Sequence, residues 1–239
     1  MTTLNDFLFG IYPYICLTVF LLGSLIRFDR DQYTWKSDSS QLLRAGQLRW
    51  GSNLFHVGVL FLLFGHSFGL LTPHFIYEPF ISAGAKQLMA MVSGGLFGLL
   101  GFIGISILLH RRLSDPRIRA NSKTSDIVLL WLLWLQLALG LGTIPLSAQH
   151  LDGSMMLRLA EWAQHIVTFR GGAPELLAEA GWTFKAHMFL GMSIFLIFPF
   201  TRLVHVWSGF GSVAYLVRPY QVVRSRRLGV TGRKPLGNR

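Results

Sequence analysis

The sequence predicts an all-α, polytopic membrane protein, a bundle of about five transmembrane helices. Three observations predict it. Charged residues make up only 14% of the 239 residues, against about 25% in soluble domains. Apolar stretches of about 20 residues recur, the length that crosses a bilayer as a helix. Basic residues gather in alternate connections between those stretches, mostly on one side.

The first span is expected over 8–27 and ends where Arg27 and Arg30 appear. The second, 52–72, is the run SNLFHVGVLFLLFGHSFGLL and stops before Pro73. The third, 87–110, follows FISAGA and Lys86 and runs into Arg111 and Arg112. The fourth covers 126–147, with Asp126 at its mouth, and the fifth 184–207, with Pro199 inside it. The longest outer connection, 148–182, contains LRLAEWAQHIVTF, whose apolar positions recur at helical spacing, so a short interfacial helix is expected there. The tail after Pro219 is basic and poor in bulky apolar residues. It is expected to be extended or disordered unless a partner orders it. Residues 1–225 are read as the membrane domain and 226–239 as a basic cytoplasmic tail.

Orientation follows from the basic residues. Eighteen of the 22 lie in the connections after the first and third spans and at the C-terminal end; only Lys86, Arg158, Arg170 and Lys185 lie on the other side. The N-terminus is therefore placed outside and the C-terminus in the cytoplasm. The same distribution explains the net charge of +11 without nucleic acid. MTTLNDF has no basic segment and no small-residue cleavage site follows, so it does not read as a cleaved signal peptide. Cys16 is the one cysteine. It excludes an internal disulfide, a CxxCH haem attachment and a cysteine-ligated iron–sulfur cluster held by this chain alone.

Four of the eight histidines, His74, His110, His150 and His165, lie at span edges or in connections and read as solvated or interfacial groups. The other four lie within spans. The second span runs outward and the fifth inward, so His56 and His205 are both near the cytoplasmic side, and His66 and His187 near the outer side. A lone membrane histidine is commonly a hydrogen-bonding group between helices. Two pairs at matched depths, with no intramembrane acid to pair with them, are instead what two six-coordinate b haems require. Each neutral imidazole gives one nitrogen to iron, and its other nitrogen takes a hydrogen-bond partner. The absence of core acids also argues against an ion pump. The spacing is unequal: ten residues separate His56 from His66, about 15 Å of helical rise, and eighteen separate His187 from His205, about 27 Å. Tilt, imidazole reach and a kink at Pro199 are the means of absorbing the difference.

Lys86 has two readings, a lysine snorkelling to the interface or a donor to a quinone oxygen beside the outer pair. Gly94 and Gly98 form a GxxxG pattern, read first as close helix packing and second as clearance for a flat macrocycle. Trp131, Trp134 and Gln136 read as packing groups, with Gln136 bonded across helices. Arg111, Arg112 and Arg202 are explained by topology and are also placed to neutralise propionates.

The stretches FGIYPYI, DQYTWKSDSSQ, SNLFHVG, GHSFGLLTPH, TIPLSAQHLDGS, VTFRGGA and FPFTRLVHVWS are spread along nearly all of residues 8–220. Together they closely resemble the gamma subunit of the membrane-bound respiratory nitrate reductases, a dihaem cytochrome b. The resemblance implies that His56 and His205 hold a proximal haem and His66 and His187 a distal one. It implies that Lys86, with His66 and Gly65, forms a quinol-binding region for menaquinol or ubiquinol, Lys86 and His66 being the groups next to the reacting ring. It further implies an iron–sulfur beta subunit and a molybdenum alpha subunit on the cytoplasmic face of a bacterial inner membrane. The competing expectations are a related dihaem cytochrome b of a sulfur-metabolising or heterodisulfide-reductase-like complex, a haem-free transporter with a histidine relay, and a passive anchor.

Overall fold

Among the described residues, five helices are long and apolar enough to cross a membrane: Leu4–Arg30, Ala45–Leu71, Ala83–Ser114, Thr124–Ser147 and Trp182–Phe200. They are the first to fifth spans in chain order. They belong to a computed structural model that describes residues 4–31, 43, 45–149 and 151–207; the described residues contain no strand. The chain divides into two units, Met1–His205 and Val206–Arg239, and all five spans are in the first. The expected division at 225 and the basic tail lie outside the described residues.

Most helix ends follow local chemistry. Ser82 caps the third span, its hydroxyl accepting from the Ala85 amide at 3.3 Å. Asp115 caps the short turn Pro116–Ala120, accepting from the amides of Arg117 and Ile118, and Pro116 fills the first helical position. Helical turns continue beyond the apolar windows until such signals occur, so the second and third spans outrun the expected limits by several residues.

Prolines mark three other points. Pro13 has no amide hydrogen for the Phe9 carbonyl one turn earlier. The first span widens into a π turn at Phe7–Ile11, and the indole of Trp162 donates to the Phe9 carbonyl at 2.9 Å. Pro73 likewise leaves the Gly69 carbonyl unserved at the end of the second span. Pro199 ends the fifth span's α-helix at Ile197, earlier than the expected 207. Two 3₁₀ turns follow, Phe198–Phe200 and Arg202–Val204, separated by extended Thr201. The Arg27 guanidinium of the first span donates to the carbonyls of Pro199 and Thr201, at 2.6 and 2.9 Å, and ties this broken segment down.

The second and third spans cross most closely, and the glycines that permit it differ from the expected pair. A Cβ on Gly58 would lie 2.5 Å from the Gly101 nitrogen, and one on Gly104 2.3 Å from the Phe55 nitrogen. Gly94 has nothing within 4 Å of such a Cβ, and Gly98 faces Leu141 of the fourth span. The GxxxG pattern therefore does not make this crossing.

The outer connection forms the helix Ser154–Val167. It does more than lie in an interface. Ala160, Trp162, Ala163 and Ile166 join Phe9, Leu177 and Phe184 in a buried cluster that closes the outer end of the first and fifth spans.

Candidate functional site

The structure brings the four intramembrane histidines together as two pairs. The ring centres of His56 and His205 are 6.1 Å apart, and those of His66 and His187 are 6.2 Å apart. The unequal spacing along the two spans is resolved by the early end of the fifth helix. His205 follows the extended Thr201 and two 3₁₀ turns, so its position is not set by eighteen residues of continuous helix.

Each ring is oriented by a backbone carbonyl. His56 Nδ1 donates to Ser52 at 2.7 Å, His66 Nδ1 to Leu62 at 2.8 Å and His205 Nδ1 to Arg202 at 2.6 Å, all within the histidine's own turn. His187 Nδ1 donates instead to Gln136 of the fourth span at 3.2 Å. A carbonyl oxygen only accepts, so every Nδ1 carries the hydrogen and every Nε2 keeps a lone pair.

These residues fit a haem iron. Nitrogen–metal bonds of about 2 Å on both sides hold two imidazole centres ~6.4 Å apart, close to both observed separations. Two nitrogen donors per pair are the axial set of a b-type haem, whose porphyrin supplies the remaining four.

The fourth and fifth spans meet around the outer pair in an antiparallel register. The His187 ring occupies the place a Cβ on Gly140 would take, since that carbon would lie 2.9 Å from His187 Cε1. The Gln136 side chain occupies the corresponding place at Gly191, 3.1 Å from where a Cβ would be. Gln136 Nε2 is 3.5 Å from His187 Nε2, and Gln136 Oε1 is buried with no partner. Leaving such an acceptor unpaired costs about 1–3 kcal/mol. Gly140→Ala is expected to displace the His187 ring; the outer pair's cofactor signal should fall at least severalfold in membranes while the inner one persists.

Lys86 does not snorkel. It is buried, and its ammonium donates to the Gly69 carbonyl at 3.0 Å, the group that Pro73 leaves unserved. It also lies 3.5 Å from the centre of the Tyr77 ring. Burial, with the Glu78 carboxylate nearby, pushes the Tyr77 phenol up, so the ring stays neutral. Gln164 of the outer helix donates to the neighbouring Leu70 carbonyl at 2.9 Å. Lys86 and Gln164 together cap the outer end of the second span. An ammonium has three donors, so Lys86 can hold Gly69 and still offer a hydrogen to a ligand. A Cβ on Gly65, one residue before His66, would meet nothing within 4 Å.

A profile of the nitrate reductase gamma subunit matches residues 5–226. The chain belongs to the nitrate reductase gamma subunit family. Three relatives are similar along nearly their whole length. It is 56% identical to the respiratory nitrate reductase 2 gamma chain of Escherichia coli K12, over 94% of this chain and 98% of that one. It is 52% identical to the respiratory nitrate reductase 1 gamma chain of the same organism, over 95% of this chain and all of the relative. It is 39% identical to the nitrate reductase gamma chain of Bacillus subtilis, over 93% and 99%.

In this gamma-family chain the arginine candidates group at the inner end. Arg112 and Arg202 both approach Asp126 Oδ2, at 3.4 and 3.7 Å. Arg111 is buried and donates to the Leu43 carbonyl. His74 pairs with Glu78 at 3.3 Å, His165 donates to the Gly171 carbonyl and His110 is exposed; His150 lies outside the described residues. Sequence reasoning missed Gly140, Gly191 and Gln164. The matching i, i+4 spacing of Gln136 with Gly140 and of His187 with Gly191 is a signal that could have found the first two.

Proposed function

We propose that this chain is the quinol-oxidising cytochrome b subunit of a respiratory nitrate reductase. His56 and His205 hold an inner haem b, and His66 and His187 an outer one. The observation that carries the reading is the pair of facing imidazole couples at two depths, between the second span and the fifth span with the 3₁₀ segment that follows it. The family assignment supports the nitrate reductase context over a sulfur-metabolising or heterodisulfide-reductase-like one.

Haems held at these positions supply one-electron transfer between the outer and inner ends of the bundle. The chain's residues do the rest. Lys86 offers an ammonium hydrogen to one oxygen of menaquinol or ubiquinol at the outer end, next to His66 and the open flank of Gly65. The quinol gives up two electrons and two protons and becomes quinone. The protons leave on the outer side, which the basic-residue bias makes the periplasm. The electrons pass to an iron–sulfur beta subunit at the cytoplasmic face and reach a molybdenum alpha subunit, where nitrate becomes nitrite. Charge thus separates across the membrane without a proton channel through this chain.

Lys86→Ala tests the quinol step. A hydrogen bond to a charged group contributes about 1.5–3 kcal/mol, which corresponds to a roughly 10–100-fold slower quinol-dependent nitrate reduction. Both haem bands and nitrate reduction by a soluble artificial donor should be unchanged. Lys86→Gln separates capping from catalysis, because its amide can still serve the Gly69 carbonyl. An undiminished quinol rate in Lys86→Ala would leave Lys86 a helix cap and nothing more.

A further inference from the structure

Three of the four proposed haem ligands take their orientation from their own turn of chain. His187 takes it from the fourth span, and from one residue there. The Gln136 carbonyl accepts from His187 Nδ1, and the Gln136 amide nitrogen sits 3.5 Å from His187 Nε2, the atom with the lone pair. The same side chain is wedged against Gly191, one turn beyond His187 on the fifth span. Its Oε1 is buried without a partner. A leucine or methionine would fill the space at Gly191 without burying an unpaired acceptor, so packing alone does not account for an amide here.

We propose that Gln136 is a positioning residue for the outer haem. Its amide hydrogen holds the lone-pair nitrogen of His187 before loading and remains the polar neighbour of that nitrogen afterwards. The positive end of the amide dipole then lies beside the ligand and stabilises the electron-richer, reduced iron over the oxidised one. The effect is expected at the outer site, because among the described residues the Nδ1 atoms of His56 and His205 are held by carbonyls of their own turns and no amide side chain bonds to either ring.

This inference rests on the reading of His66 and His187 as haem ligands. The test uses the assembled reductase in membranes, with Gln136→Met, which keeps the volume and removes the amide, and Gln136→Leu as a second shape. Redox titration and low-spin electron paramagnetic resonance are recorded for both haems. The expected result is a lower midpoint potential for the outer haem, by a roughly tenfold change in its one-electron equilibrium, ~59 mV, with an altered outer resonance. The inner haem serves as the internal control and stays unchanged. Loaded variants with wild-type potential and resonance at the outer haem overturn the proposal. So does failure of both variants to accumulate, which makes Gln136 a packing group. If the unsubstituted complex shows no second b-type signal, the haem reading itself fails.

Discussion

A His187→Ala chain is expected to lose the outer haem, keep the inner one and stop passing electrons from quinol to nitrate. The ring contributes one of two facing nitrogens, and His66 alone offers too few donors to replace it. The inner pair is about 15 Å away along the second span, and its ligands are oriented by Ser52 and Arg202, not by the fourth span. His66→Ala is expected to give the same phenotype from the opposite helix. Both variants should fold, because the crossing of the second and third spans and the Arg27 tether do not involve the outer pair. Haem content and optical difference spectra in membranes, with nitrate reduction driven by quinol and by a soluble donor, decide the outcome. Loss of both haems in a normally inserted chain would contradict two separate sites.

Gly104→Ala is expected to have the other large effect, on stability. The added carbon would lie 2.3 Å from the Phe55 nitrogen and 2.8 Å from the Gly51 carbonyl oxygen. Those are backbone atoms in a second helix, so no side chain can swing aside and the spans must separate. Overpacking costs about 1–3 kcal/mol and occasionally more, and the upper end is expected here because only backbone can yield. Phe55 immediately precedes His56, so the strain also reaches the inner pair. Gly94→Ala is the matched control. Nothing stands within 4 Å there, and removing a helix-interior glycine should be neutral or slightly favourable. Amounts of inserted chain and thermal unfolding in detergent compare the two. Equal stability of both variants would mean that the crossing is not glycine-dependent.

The histidine pairing was legible before any coordinates, because depth in a membrane helix follows directly from residue number and orientation. What misled was continuity. A fifth helix running to 207 separates His187 from His205 by far more than His56 and His66 are separated. Pro199 was visible, but a proline in a span can kink a helix or end it, and local sequence does not distinguish these. Here Arg27, distant in the chain, donates to the carbonyls that the break frees. Lys86 was ambiguous for a similar reason. Whether an interfacial lysine reaches outward or inward depends on what acceptor lies nearby, and the Gly69 carbonyl is an acceptor only because Pro73 follows it.

The sequence by itself determined the span number, the two levels of imidazoles and the family, since these follow from hydropathy, residue spacing and motif. The tertiary structure alone decided which glycines carry the crossing, that Lys86 turns inward, and that Gln136 and His187 fill each other's missing side chains. Those outcomes depend on the rotation of one helix against another. That rotation is set by contacts between residues far apart in the chain; a pattern within one span, such as the i, i+4 spacing of Gln136 and Gly140, gains meaning only when it is matched with its partner span.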